Sequence, residues 1–176
     1  MTLKPYKRFT VLDVTQGFHS GHQAIDCVPQ KGAYGKPLVA PEKVVIEQVV
    51  TPSRVDESLK DLEYGYGVWM RGQETGDRYL YWHCLPVFPV WGGDIIEKGQ
   101  IVAFIGNAGN VYRGGVYVPL YERATSHKGT HLHLIHQKNG VPVDPLPLEG
   151  EPTYTTLDFM LAMMKTLAKI TKLLLK

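Results

Sequence analysis

Three features of the sequence predict a mainly β fold: an antiparallel sheet or sandwich-like domain followed by one C-terminal amphipathic α-helix. First, short segments rich in β-branched and aromatic residues recur along the chain: FTVLDV, PLVAPEKVVIEQVV, GVWMR, RYLYWHC, QIVAFIG and THLHLIH. Second, the stretches between them (QKGAYGKP, RGQETGDR, WGGDIIEKG, GNAGN) are turn chemistry, and 18 Gly and 12 Pro suit many turns. Third, the character changes near residue 150, where TTLDFMLAMMKTLAKITKLLLK runs to the end without a helix breaker. The expected division is a β domain over 1–150 and a helix over 151–176.

Taken in order, the strands follow one another with short links, which favours antiparallel neighbours. The segment TPSRVDESLKDLEY is the exception and reads as a short helix or long loop. At the C-terminal helix, Pro152 with Thr155 and Thr156 marks the start. Lys165, Lys169, Lys172 and Lys176 project from one side, and Phe159, Met160, Met163, Leu167, Ile170 and Leu174 from the other. Such a helix packs its apolar side on the β domain, pairs with a copy of itself, or lies on an anionic membrane surface through residues 153–176. It is not a membrane span, because lysine recurs at every turn.

At 176 residues the chain is long enough to bury one good core, and its composition is globular. A formal charge of +2, with no basic stripe, argues against a nucleic-acid surface. The N-terminal MTLKPYKRFTVLDV has no apolar core of the kind a secretory signal needs, so no signal peptide is expected. Two cysteines are too few for a disulfide framework. Oligomeric state is not legible.

Chemistry concentrates in KGTHLHLIHQKNG, which holds three of the seven histidines. On a strand, His131 and His133 share a face about 6–7 Å apart, close enough to share one metal or one substrate. The plain alternative is a pair of exposed strand histidines. His136 has the opposite parity and reads as structural. A second cluster, GFHSGHQAID, places His22 four residues before Asp26, and imidazole plus carboxylate is a normal zinc set. His83, in LYWHCL, follows an aromatic strand and could reach the same face.

These pieces resemble the lysostaphin-type zinc endopeptidases, which cleave bacterial cell wall. HQAID resembles the family's His-x-x-x-Asp motif, and GKPLVAPEKVV the Gly-x-Pro-Val-x-Ala strand after it. GYGVWM and YWHC resemble the strand pair ending in Tyr-x-His. GGDIIEKGQIVAFIGNAG resembles the Gly-Asp-x-Val-x-x-Gly-Gln segment, and GTHLHLIHQKNGVPVDPLP the closing strand with its Val-Asp-Pro end. The resemblance covers roughly residues 15–147, with the pieces in the family's order. It implies a metallopeptidase domain binding one zinc ion through His22, Asp26 and His133. His131 and His83 would then handle protons and transition-state charge. Zinc lowers the pKa of a bound water to about 7, and that water would attack the scissile carbonyl with the two histidines assisting. The implied substrate is peptidoglycan, at the cell wall. The one-domain architecture, with no signal peptide expected, suits a bacteriophage endolysin or virion-associated wall hydrolase, made in a host cytoplasm and released or virion-delivered. Rival readings are a non-catalytic wall-binding or phage structural protein of the same fold, or a membrane-active protein acting through its helix.

The chain also departs from the family. Ala24 stands where Gly is usual. The stretch NVYRGGVYVPLYERATSHK is longer than the family's link and is expected to form a groove wall, with Tyr117 or Tyr121 as a conceivable oxyanion donor. The 51–63 segment also looks inserted. Cys27 and Cys84 each follow a site residue and are expected to be buried free thiols, with a mutual disulfide as the alternative. His19 and His127 read as groove or surface residues.

Overall fold

The computed structural model describes residues 2–3, 12–29, 32–51, 65–146, 148–149 and 156–174. The segment expected to be a helix or long loop falls mostly outside these residues, as do Pro152 and Thr155. In chain order the elements begin β1 (Thr2–Leu3), β2 (Leu12–Gln16), β3 (Ile25–Pro29), β4 (Pro37–Val39) and β5 (Val44–Val50). Then come β6 (Tyr66–Gly72), β7 (Arg78–Cys84), β8 (Ile95–Ile96), β9 (Ile101–Phe104), β10 (Tyr112–Arg113) and β11 (Val116–Tyr117). The last are α1 (Leu120–Ser126), β12 (Leu132–Lys138), β13 (Val141–Val143), β14 (Leu148–Glu149) and α2 (Thr156–Leu174).

An eight-stranded antiparallel sheet runs β2-β3-β12-β7-β6-β5-β8, with β13 paired to β12. The antiparallel pair β4–β9 contributes to the same core. The single run expected from residue 37 to residue 50 is thus two strands in different sheets, with Pro41 between them. Proline supplies no ladder N–H and fits a break between strands. Leu38, Val102 and Ala103 share a fully buried cluster with Ile25, Val68, Met70, Tyr81, Leu132 and Leu134.

The alternation expected of β12 is present. Leu132, Leu134 and His136 are buried, and the His136 ring stacks on core Tyr79 at 4.8 Å with Nε2 2.8 Å from Asp77 Oδ2. His131 and His133 take the other face. Cys27 and Cys84 form no disulfide and are fully buried thiols in the core.

One polar group is sealed into this core. The Glu42 carboxyl accepts from Thr75 Oγ1 (2.6 Å) and Tyr79 Oη (2.7 Å), and from the Glu74 and Thr75 amides at 3.2 and 3.3 Å. Burial, then the Glu42 contact, pushes the Tyr79 phenol well up, so it stays a donor. Glu42→Ala would strand these donors at roughly 1–3 kcal/mol apiece where no water reaches them. We expect a net loss of about 3 kcal/mol, lowering the melting temperature by about 6–12 °C. A calorimetric scan showing a change under about 2 °C would contradict this.

The C-terminal segment is helical over Thr156–Leu174, and among its described side chains packing on the β domain is seen at one small residue. Contact is made by the small Ala162, buried with Val39, Ile101 and Phe104. Leu157, Met160, Leu161, Met163, Met164 and Leu167 are exposed. Among the described residues, no helix is long and apolar enough to cross a membrane.

Candidate metal centre

Register places the site. His133 pairs with Asp26 on one side and with Trp82 on the other, so β3, β12 and β7 present side chains on a common face. His22 arrives from a tight turn before β3. The His19 amide donates to the His22 carbonyl (3.0 Å) and the His22 amide to the His19 carbonyl (2.9 Å). Ala24 is buried and does not have a positive φ, so its extra methyl is accommodated.

His83 is brought in by a feature the sequence does not announce. Tyr79 and Tyr81 lie in the core, so strict alternation would send His83 there too. However, Tyr66 pairs with Cys84 and Val68 with Tyr81, leaving Trp82 and His83 opposite Gly67 alone. This β-bulge, with His83 at φ +58°, turns its ring to the site and Cys84 to the core. Gly67 is required opposite it, because a Cβ there would lie 2.5 Å from the Trp82 ring.

The resulting geometry is tight. His22 Nε2 is 3.4 Å and His133 Nδ1 2.8 Å from the same oxygen, Asp26 Oδ1, and His131 Nε2 lies 3.8 Å from it. Ligand atoms of His22, Asp26 and His133 all fall within 4.8 Å of one another. The His83 ring centre is 4.5 Å from that of His131 and 5.8 Å from that of His133.

Backbone carbonyls assign the protons. A carbonyl only accepts, so the ring nitrogens facing one must carry hydrogen: His22 Nδ1 to Gly17 (3.0 Å), His83 Nδ1 to Ala108 (2.6 Å) and His131 Nδ1 to Gly129 (2.7 Å). In the neutral rings this leaves each Nε2 with a bare lone pair. For His22 that atom is buried, has no hydrogen-bond partner among the described residues, and faces a carboxylate oxygen. Two lone-pair atoms 3.4 Å apart with no hydrogen between them leave a place for a shared cation, and this donor set suits a divalent metal.

The charges agree. Burial, then the neighbouring His131, lowers the pKa of His83 to about 3, and burial also lowers that of His131, so both are neutral bases near pH 7. For Asp26, burial raises the pKa. The His133 hydrogen bond and the charges of His131, His133 and His22 outweigh it and hold the carboxyl below its ordinary range.

The metal-free protein should lose stability as pH falls below about 6.5. An unfolded chain protonates His83 near pH 6.5 while the folded site refuses the proton, so this group's contribution is present above about 6.5 and is lost as pH falls toward about 3. Between pH 6.5 and 5 the loss should be about 1–2 kcal/mol. His83→Gln should show a shallower decline by urea denaturation; an equal decline would contradict the assignment.

The site opens into a cleft of about 1010 Å³, and the inserted stretch does form one wall, through residues including Asn110, Tyr112, Arg113 and Lys128. Tyr117 and Tyr121 do not line it. The aromatic that does is Tyr112, and the Tyr117 hydroxyl instead accepts from Arg123 Nη2 at 3.4 Å. His127 lines the cleft and stacks on Tyr34, whereas His19 stays exposed at the turn before β3. Nothing local in the sequence separates Tyr112 from its tyrosine neighbours.

No family model matches the chain, and no curated protein matches it. Solved structures do. LytU is 22% identical with a TM-score of 0.56, over 82% of this chain and 88% of that one. The antimicrobial peptidase lysostaphin from Staphylococcus simulans is 20% identical with a TM-score of 0.51, over 81% of this chain and 48% of lysostaphin. The chain has the lysostaphin fold. A zinc-containing peptidase from Vibrio cholerae shares it at 17% identity and a TM-score of 0.56, over 84% of this chain and 41% of that one. On this lysostaphin fold, the His22, Asp26 and His133 cluster lines the cleft.

Proposed function

We propose that the protein is a zinc-dependent endopeptidase that hydrolyses peptide bonds in bacterial peptidoglycan. The observation carrying this reading is the cluster itself: three ligand atoms within 4.8 Å on the lysostaphin fold, flanked by two neutral histidines. His22, Asp26 and His133 would hold one zinc ion. The zinc supplies Lewis acidity for the scissile carbonyl and brings the pKa of a water down to about 7.

The remaining work falls to side chains. With Nδ1–H engaged by a carbonyl, Nε2 of His131 or of His83 can take a proton from the attacking water and return it to the leaving amine. The other, 4.5 Å away between ring centres and also bare at Nε2, can share that proton and present it to the developing oxyanion. The fixed tautomers remove the cost of reorienting either ring. The test is release of new amino groups from purified peptidoglycan, together with zinc content. A zinc-loaded protein that releases none from several wall types would favour the non-catalytic wall-binding reading.

A second contact is proposed for the C-terminal helix, on the observation that Leu157, Met160, Leu161, Met163, Met164 and Leu167 are exposed. Residues 153–176 carry four lysines, which complements an anionic bilayer and opposes self-pairing. Replacing exposed Met160, Met164 and Leu167 with glutamate is expected to abolish sedimentation with phosphatidylglycerol vesicles and to leave wall cleavage unchanged. Sedimentation that persists would remove the helix from this role.

A further inference from the structure

The insertion between β9 and β12 holds a buried cation that the site chemistry does not use. Arg123, on α1, is 7% exposed. Among the described residues it faces no carboxylate. Its Nη1 donates to the Asn107 carbonyl (3.0 Å) and to the Gly109 carbonyl, and the guanidinium sits 5.9 Å from the centre of the Tyr117 ring. Asn107 returns the contact, Nδ2 donating to the Arg123 carbonyl at 3.1 Å and to the Lys128 carbonyl at 3.2 Å. A buried charge matched only by dipoles is a poor source of stability, since apolar replacements of buried ions are often neutral or stabilising. Its placement therefore invites a positional explanation.

The two carbonyls that Arg123 gathers flank Ala108, whose own carbonyl is the acceptor for His83 Nδ1–H at 2.6 Å. From the other side Gly65, at φ +67°, backs directly onto this peptide: a Cβ there would lie 2.5 Å from both Ala108 C and Gly109 N. Residues 107–109 are thus clamped between Arg123 and Gly65, with one carbonyl left to face the ring.

We propose that Arg123 is a positioning residue for His83: by fixing the Asn107 and Gly109 carbonyls it aims the Ala108 carbonyl at Nδ1, keeps the proton there, and leaves Nε2 bare toward the cleft. The consequence for turnover rests on the peptidase reading. The consequence for the histidine does not, because which nitrogen carries the proton can be observed without substrate. His131 is an internal comparison, since its acceptor is the Gly129 carbonyl, which Arg123 does not touch.

The experiment is imidazole ¹⁵N–¹H correlation NMR on the zinc-loaded full chain, wild type against Arg123→Met, with kcat, KM and zinc content measured in parallel. In wild type His83 should be protonated at Nδ1 with slow proton exchange. In Arg123→Met that signature should be lost for His83 and retained for His131, with zinc content unchanged. kcat should fall roughly 10–100-fold at near-constant KM, the usual scale for groups that orient a site residue. Arg123→Lys, which keeps a donor head near the carbonyls, should recover part of both effects. Glu97→Gln, which weakens the exposed ion pair to Lys43 outside the cleft, should change neither. If Arg123→Met does not fold, Asn107→Ala loosens the same clamp and is read by the same signals. A folded variant whose His83 keeps the wild-type tautomer overturns the proposal. A shifted tautomer in a protein that cleaves no wall upholds it and counts against the peptidase reading alone.

Discussion

His133→Ala is expected to reduce bound zinc from about one per chain to near zero and wall cleavage to background. His133 Nδ1 lies 2.8 Å from Asp26 Oδ1, and that oxygen is also the near neighbour of His22 Nε2 at 3.4 Å, so the three groups meet at one point. Catalytic zinc sites typically use three protein ligands with one position open, and removing one of three leaves a pair too weak to retain the ion. The substitution should be mild for the fold, because Leu132 and Leu134, not His133, fill the core beneath β12. Asp26→Asn, close in shape but without the negative charge, should behave similarly. The checks are elemental analysis after dialysis, amino-group release, and a melting curve. Full zinc content in a folded His133→Ala protein would move the metal away from this cluster.

The second large effect is expected from the two histidines outside the ligand set. His83→Ala and His131→Ala should each lower kcat by roughly 10²–10⁴-fold, the usual worth of a positioned acid or base, while zinc content stays at the wild-type level. Their rings are 4.5 Å apart and would act on the same proton transfer, so the double substitution should cost little more than the worse single one. If the two losses multiplied instead, the histidines would be serving independent steps. An unchanged kcat for both would leave the cluster as a binding site without this chemistry.

Much of this arrangement is visible in local pattern. Alternation along THLHLIH places His131 and His133 on one face and Leu132, Leu134 and His136 on the other, because a pleated backbone turns successive side chains to opposite sides whatever lies next to it. The burial of Cys27 beside Asp26 follows from the same rule. The spacing from His22 to Asp26 hints at a shared partner, and the breaker-free C-terminal run gives a helix from Thr156.

Other features depend on relations between distant segments. Alternation alone would bury His83 in the core. Its ring reaches the site only because Trp82 and His83 together oppose Gly67, and a two-against-one pairing is a property of the partner strand as much as of the residue. The division of residues 37–50 between two sheets, the selection of Tyr112 over Tyr117 as a cleft residue, and the clamp made by Arg123 all require three-dimensional neighbours. So does the exposure of Leu157, Met160, Leu161, Met163, Met164 and Leu167 on α2: helical period says that a face exists, and the docking of Ala162 on Val39, Ile101 and Phe104 orients the described residues. By itself the sequence determined the strand-rich class, the C-terminal helix and the parity of the histidine strand, since these are set by backbone geometry over a few residues. Tertiary structure decided how His83 enters, what holds its tautomer and what walls the cleft, because each rests on contacts between residues far apart in the chain.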